Sequence, residues 1–349
     1  MAKAKKPRLE LVDIAKAITI FLVILGHTTG NLETPMYRRV LYSFHMPLFF
    51  FLAGMSIRPV ALLTWDKWKS FLQKNILALV VPYLIWAFVY APFDFKNVPL
   101  FLYGSWAALG KAGTLTSLWY LTAFFVARIL TEAIISLLGC FKVKNMQKAC
   151  FFSAIPALAL GFLLPYLKCG YPWCADVSLV ASGFILLGIA FRNPILIFAQ
   201  QKGWVLGLAF AASTAIFAAG TVMRGDALDL SLMCGGIYGN IFWFMLNSIT
   251  GSMVVFTVSM ILTRIAREGA HPFSTAAISY IGQHTLGIFI LHKNMLQALI
   301  LPWICSFIAG PALLTAFLGS CVALGASMLL CVIIEKYVPQ LLGQFPRYE

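Results

Sequence analysis

Apolar residues run along this chain in stretches too long and too even for the one-sided helices of a soluble core. A helix crossing the hydrocarbon of a bilayer needs about 20 largely apolar residues. Cutting the sequence where charge, Pro or Gly accumulates leaves ten such stretches, at 11–31, 40–57, 75–93, 117–139, 149–167, 177–191, 203–223, 240–263, 277–300 and 311–334. The sixth is short for a crossing, and segment 231–239, ahead of the eighth, reads equally as loop or as helix. The pattern predicts an all-α polytopic membrane protein with about ten transmembrane helices, forming a single domain over residues 1–349.

Composition sharpens that picture. Hydrophobic residues make up 61% of the chain and charged residues 11%, and the mean hydropathy is +0.87, which excludes soluble enzyme classes. Twenty-six Lys and Arg against twelve Asp and Glu give a net charge of +14. If the N-terminus is inside, seventeen of the 26 basic residues fall in inner segments and six in outer ones, leaving Lys16, Arg128 and Lys293 within spans. Cytoplasmic loops retain Lys and Arg, so both termini are expected inside. No basic run is interleaved with aromatics as a nucleic-acid surface would be, and membrane lipid rather than nucleic acid accounts for the charge. The first stretch carries Asp13 and Lys16 and lacks a small-residue cleavage site, so it reads as a retained span and not as a signal peptide. Most of the eight cysteines lie in spans, where they serve as small apolar side chains. Cys169 and Cys174 differ, because the predicted outer loop CGYPWC would permit a local disulfide in an oxidising compartment.

Ionisable side chains inside a span cost roughly 2.5 to 3.5 kcal/mol each on insertion scales, so each marks a candidate site. In the first span Lys16 and His27 are about three helical turns apart, and Asp13 lies one turn before the lysine, so all three share one face. A rise of 1.5 Å per residue separates Lys16 from His27 by about 16 Å, the lysine in the inner leaflet and the imidazole in the outer half. An Asp13–Lys16 pair at the inner interface, with the lysine snorkelling, explains the lower end as well as a functional role does. His27 could satisfy a neighbouring helix, yet Gly26, Thr28, Thr29 and Gly30 make a small polar helix end that opens the ring to other groups. His45, near the outer end of the second span, and His292, in the outer half of the ninth, reach a similar depth. Proton chemistry ranks above a metal, for neither i, i+4 spacing nor a nearby carboxylate accompanies these histidines. Arg128, near the middle of the fourth span, precedes Glu132 by one turn. The two form either a structural ion pair or an anion clamp for phosphate, and both readings stay open. By position alone, Trp119 and Tyr120 belong to the interfacial aromatic belt.

These residues carry a pattern. The first span, from Asp13-Ile14-Ala15-Lys16 to Leu25-Gly26-His27, resembles the opening of the membrane-bound acyltransferase 3 family, and its lysine version is similar to the sugar O-acetylase branch. FHMPLFFFLAG at 44–54, LWYL at 118–121, and Tyr280-Ile281-Gly282 followed by Thr285-Leu286-Gly287-Ile288-Phe289 and Leu291-His292 resemble later blocks in the same order. Two positions depart from the family. Its paired arginines before the third span are not evident ahead of Pro82-Tyr83, and Phe289 stands where a tyrosine is usual.

The resemblance implies about ten helices, an acyl-CoA such as acetyl-CoA entering from the cytoplasm as co-substrate, and acyl transfer to a carbohydrate or glycolipid hydroxyl at the outer side. It places the protein in the cell membrane, the inner or plasma membrane of a bacterium. His27 then acts as general base or, through an acyl-histidine, as nucleophile. Lys16 and Asp13 position the donor, and Arg128 with Glu132 meets its phosphates. His45, His292 and Trp119 complete the substrate-binding set. The rival reading is a secondary transporter or flippase for a glycan or glycolipid, since charges within spans also mark substrate pathways. The lack of an internal repeat weighs against it.

Overall fold

The computed structural model describes residues 9–28, 36–91, 95–113, 115–164, 167–168, 170–224, 232–268, 272–307 and 312–345. Among them helix is the dominant structure, and an isolated β-bridge joins Leu232 to Ile237. The first predicted stretch forms α1 (Glu10–Gly26), and the second is broken into α2 (Met36–Tyr42) and α3 (His45–Ser56). Eight further helices are long and apolar enough to cross a bilayer and correspond in order to the third to tenth stretches: α4 (Trp65–Tyr90), α7 (Thr116–Cys140), α8 (Met146–Leu163), α9 (Pro172–Phe198), α10 (Gly203–Met223), α11 (Ile241–Arg267), α13 (Thr285–Ile304) and α14 (Leu313–Tyr337). The short helices α5 (Val98–Tyr103) and α6 (Trp106–Lys111) follow α4, and α12 (Pro272–Gln283) leads into α13. The chain is a multi-pass, all-α membrane protein.

Several predicted boundaries move, for identifiable reasons. The sixth stretch ends at 191 in the sequence reading because Arg192 and Pro194 follow, but α9 runs on through both to Phe198. A proline interrupts one backbone donor of a membrane helix without ending it, and Arg192 turns into a cavity shared with other polar groups. The ninth stretch divides at His284, whose imidazole Nε2 bonds Glu335 of α14 at 2.9 Å. Segment 232–240 is a turn of 3-10 helix at Met233–Gly235 with the small bridge, not a crossing. π-turns at Ile76–Val80 and Leu296–Ile300 interrupt α4 and α13, and such turns shift side-chain register along a helix.

Membrane helices gain no hydrophobic advantage by leaving lipid, so close backbone approach holds them together. A Cβ on Gly54 would lie 2.0 Å from the Ile185 carbonyl oxygen, and one on Gly188 2.0 Å from that of Phe51, so α3 and α9 cross backbone to backbone. Gly282 of α12 does the same against α1, where a Cβ would lie 1.8 Å from the Asp13 carbonyl oxygen. These contacts bury α1 and α3 at the centre of the bundle. Helix α10 lies at its edge, with Trp204, Leu208 and Val222 more than 60% exposed on a face suited to lipid.

Candidate active site

Four helices each turn one polar or aromatic stripe toward a common path. Helix α1 contributes Asp13, Lys16 and His27, and α3 contributes His45, Phe49 and Ser56. Helix α7 gives Tyr120, Phe124, Arg128 and Glu132 at four-residue intervals, and α13 gives Thr285, Phe289, Lys293 and Gln297 in the same way. Spacing of three or four residues is what places side chains on one face of a helix. Each stripe is polar or charged at one end, and the aromatic members of three of them, Phe49, Tyr120, Phe124 and Phe289, meet at one cavity.

Three cavities follow that path. The largest, about 1060 Å³, lies at the Lys16 end and is lined by Asp13, Lys16 and Glu132 together with the cations Arg58, Lys74, Arg128 and Arg192. A middle cavity of about 290 Å³ shares Lys16, Ser56 and Arg128 with it and is walled by Phe49, Tyr120, Phe124 and Phe289. The third, about 120 Å³, lies at the His27 end. Phe289 lines both the middle and the His27 cavities and is the residue their linings share. Its ring packs 4.8 Å from Tyr120 and 5.6 Å from His292.

At the Lys16 end, Lys16 Nζ donates to Ser56 Oγ at 3.0 Å. Arg128 Nη2 approaches Glu132 Oε2 at 3.8 Å, and its guanidinium lies 5.3 Å from the Phe71 ring. Its Nη1 is buried with no hydrogen-bond partner. The ion pair anticipated from the sequence is therefore present, and one arm of the fork is left unsatisfied beside a cavity. Buried polar groups are nearly always hydrogen-bonded, so such an orphan is a place where a ligand oxygen fits.

At the other end the structure brings the three expected histidines together. The His27 and His292 rings are 5.2 Å apart, and the Tyr42 ring bridges to His45 at 4.9 Å. Tyr42 Oη and His27 Nδ1 are 3.3 Å apart. A Cβ on Gly26 would meet Tyr42 Cε2 at 2.9 Å, so glycine is what lets the tyrosine reach the imidazole. Gln297 Nε2 donates to the His27 carbonyl oxygen at 3.2 Å, tying the end of α1 to α13. His45 and His292 each use Nδ1 on a backbone carbonyl, Leu41 for the first and Phe289 for the second. A carbonyl only accepts, so both Nδ1 atoms carry the proton and both Nε2 atoms the lone pair. His292 Nε2 is buried without a partner. His45 lines the His27 cavity, whereas His292 stands behind the His27 ring and not on the cavity wall.

Trp119 and Tyr120 correct the positional expectation. Both are buried, not placed in an interfacial belt, Trp119 facing the His27 cavity and Tyr120 the middle one. Sequence reasoning also missed Tyr42, Arg38, Trp106 and Cys234 at the His27 end, and it noted Lys293 as a charge within a span without a role. It counted Arg58, Lys74 and Arg192 only as inner-loop charges. Burial pushes the Cys234 thiol up to about 12, so at neutral pH it is protonated and no nucleophile. Thr29, Gly30 and Cys169 lie outside the described residues, and with Cys169 the question of a Cys169–Cys174 bridge. Cys174 is buried with its Sγ 3.5 Å from the Gly104 carbonyl oxygen.

A family model described as an acyltransferase domain matches residues 10–336, which takes in all four stripes and, Leu9 apart, the lining of all three cavities. The chain belongs to the acyltransferase 3 family. It is thus a membrane acyltransferase, and the ordered blocks read in its sequence coincide with the elements that line the path. A comparison with curated proteins gives no match. In this acyltransferase His27 lies at the far end of the path from the basic cavity.

Proposed function

We propose that this acyltransferase moves a short acyl group, acetyl in the first instance, from cytoplasmic acyl-CoA to a hydroxyl of a cell-envelope carbohydrate or glycolipid, in the inner or plasma membrane of a bacterium. The observation that carries the reading is the order of surfaces along one path: a cation-rich cavity, an aromatic-walled passage, then a pocket built around an imidazole. A CoA thioester has the same order, phosphates first, then a thin arm, then the reactive carbon. Lys16, Arg58, Lys74 and Arg192 attract the phosphates, and the free Nη1 of Arg128 takes one phosphate oxygen. Glu132 holds Arg128 in the wall, and with Asp13 it keeps the cavity from becoming uniformly positive.

The thioester carbonyl passes Phe289 to reach His27. With Nδ1–H donating to Tyr42 Oη, the His27 Nε2 lone pair accepts the proton of the acceptor hydroxyl as its oxygen attacks the carbonyl carbon. The tetrahedral intermediate collapses with loss of the CoA sulfur, which takes up the proton from His27. Trp119 and Trp106 offer flat faces to a sugar ring, and His45 presents a bare Nε2 to a hydroxyl. His292 acts through His27 as a positioning residue.

The test is a His27→Ala variant, inserted and monodisperse in detergent, assayed for transfer from labelled acetyl-CoA. Loss of a general base lowers the rate by about 10²- to 10⁴-fold. Near-normal transfer by the variant overturns the assignment. Saturable glycan transport by the wild type, with no label transferred, replaces the enzymatic reading with the transport one.

A further inference from the structure

The His27 pocket is cationic beyond what acyl transfer needs. Arg38 of α2 and Lys293 of α13 both line it, and its described lining residues include no Asp or Glu. Each cation is held by a neutral group: Lys293 Nζ donates to Thr116 Oγ1, and the Arg38 guanidinium lies 5.1 Å over the Tyr42 ring. Two arginines elsewhere meet carboxylates, Arg128 at Glu132 and Arg264 at Glu268. Neither Arg38 nor Lys293 has such a partner among the described residues. A lysine within a span, away from water, is costly unless a counter-charge is supplied.

We propose that Arg38 and Lys293 form a subsite for an anionic group on the acceptor, so that the carbohydrate taken at His27 bears a carboxylate or a phosphate. The inference rests on the reading of this pocket as the acceptor site and adds the acceptor's charge to it. The donor does not explain the two cations, because its phosphates have their own cluster on the far side of Phe289. The reaction does not explain both either. A tetrahedral intermediate develops one oxyanion, and these two cations sit on separate helices. Arginine's planar fork matches a carboxylate or phosphate in two-point fashion, with lysine as a point charge beside it. Trp106 and Trp119 in the same pocket supply the apolar surface a sugar ring needs. An uronic acid and a phosphorylated sugar share this chemistry.

The test measures binding by equilibrium dialysis of labelled glucuronic acid, glucose 6-phosphate and glucose to the full protein in detergent, without acetyl-CoA. At least one anionic sugar is expected to bind about tenfold or more tighter than glucose, and salt is expected to weaken that preference. The tighter of the two anionic sugars identifies carboxylate or phosphate as the group read. Arg38→Gln with Lys293→Met is expected to abolish the preference while glucose binding persists, and Arg38→Lys to retain part of it. Equal affinity for all three sugars in the wild type, or binding of none, overturns the proposal whether or not the double variant folds. Acetyl transfer to neutral sugars without charge preference sinks this inference alone. A charge preference with no transfer from acetyl-CoA leaves the anion subsite standing and removes the acyltransfer reading of the pocket.

Discussion

Replacing Arg128 and Glu132 together by glutamine isolates the donor end of the path. The pair is separated by 3.8 Å, and at an effective dielectric near 20 two unit charges at that distance attract by about 4 kcal/mol. Removing the arginine alone would strand a buried carboxylate, a loss of about 3 to 5 kcal/mol that confuses folding with binding. The double change Arg128→Gln with Glu132→Gln keeps the pair neutral and hydrogen-bonding, with a shorter side chain at position 128. What disappears is the bond between the unsatisfied Nη1 and a donor phosphate, a charge-assisted contact of about 1.5 to 3 kcal/mol. That corresponds to a rise of about 10- to 100-fold in KM for acetyl-CoA, with kcat little changed. The assay compares initial rates with acetyl-CoA and with S-acetyl-N-acetylcysteamine, a thioester that carries no phosphate. The variant should use the second donor as well as the parent does. If both donors suffer equally, or if KM for acetyl-CoA stays put, the guanidinium is an architectural group and the phosphates bind elsewhere.

Three further expectations follow from single contacts. Tyr42→Phe removes the hydroxyl 3.3 Å from His27 Nδ1, and kcat should drop by up to about tenfold, the value of one neutral hydrogen bond, with KM for acetyl-CoA unaltered in steady-state assays. Phe289→Leu shrinks the ring that lines both the middle and the His27 cavities, so the rate ratio of butanoyl-CoA to acetyl-CoA should rise, and an unchanged ratio would show that acyl length is set elsewhere. Gly282→Ala forces a methyl to within 1.8 Å of the Asp13 carbonyl oxygen; separating α12 from α1 should cost about 1 to 3 kcal/mol, read as a lower Tm in detergent.

The helices were legible because lipid demands long apolar runs, and the third to tenth stretches each became a helix long and apolar enough to cross a bilayer. Position along α1 was legible too: Lys16 and His27, placed on one face by the helical repeat, line the two ends of one path. What the repeat does not supply is the direction in which a face looks. Trp119 and Tyr120 have the composition of a headgroup belt, yet neighbouring helices close over them. Charge counting had a related blind spot, since Arg58, Lys74 and Arg192 satisfy a topology rule and line a cavity at the same time. Tyr42 and Arg38 escaped notice because the helix break at Ser43-Phe44 turns α2 back over the end of α1. Lys293 and Gln297 reach the pocket from either side of the start of a π-turn, which ordinary periodicity does not anticipate.

The single ring of Phe289 bears on more than chemistry. A bilayer that stores an ion gradient cannot tolerate a wet tunnel, and a protein whose two chambers lie at opposite ends of one helix comes close to having one. By setting a benzene ring where the two chambers share a wall, tilted against Tyr120 on one side and His292 on the other, the fold puts an apolar group between them, and an apolar wall is a costly place for a hydrated ion.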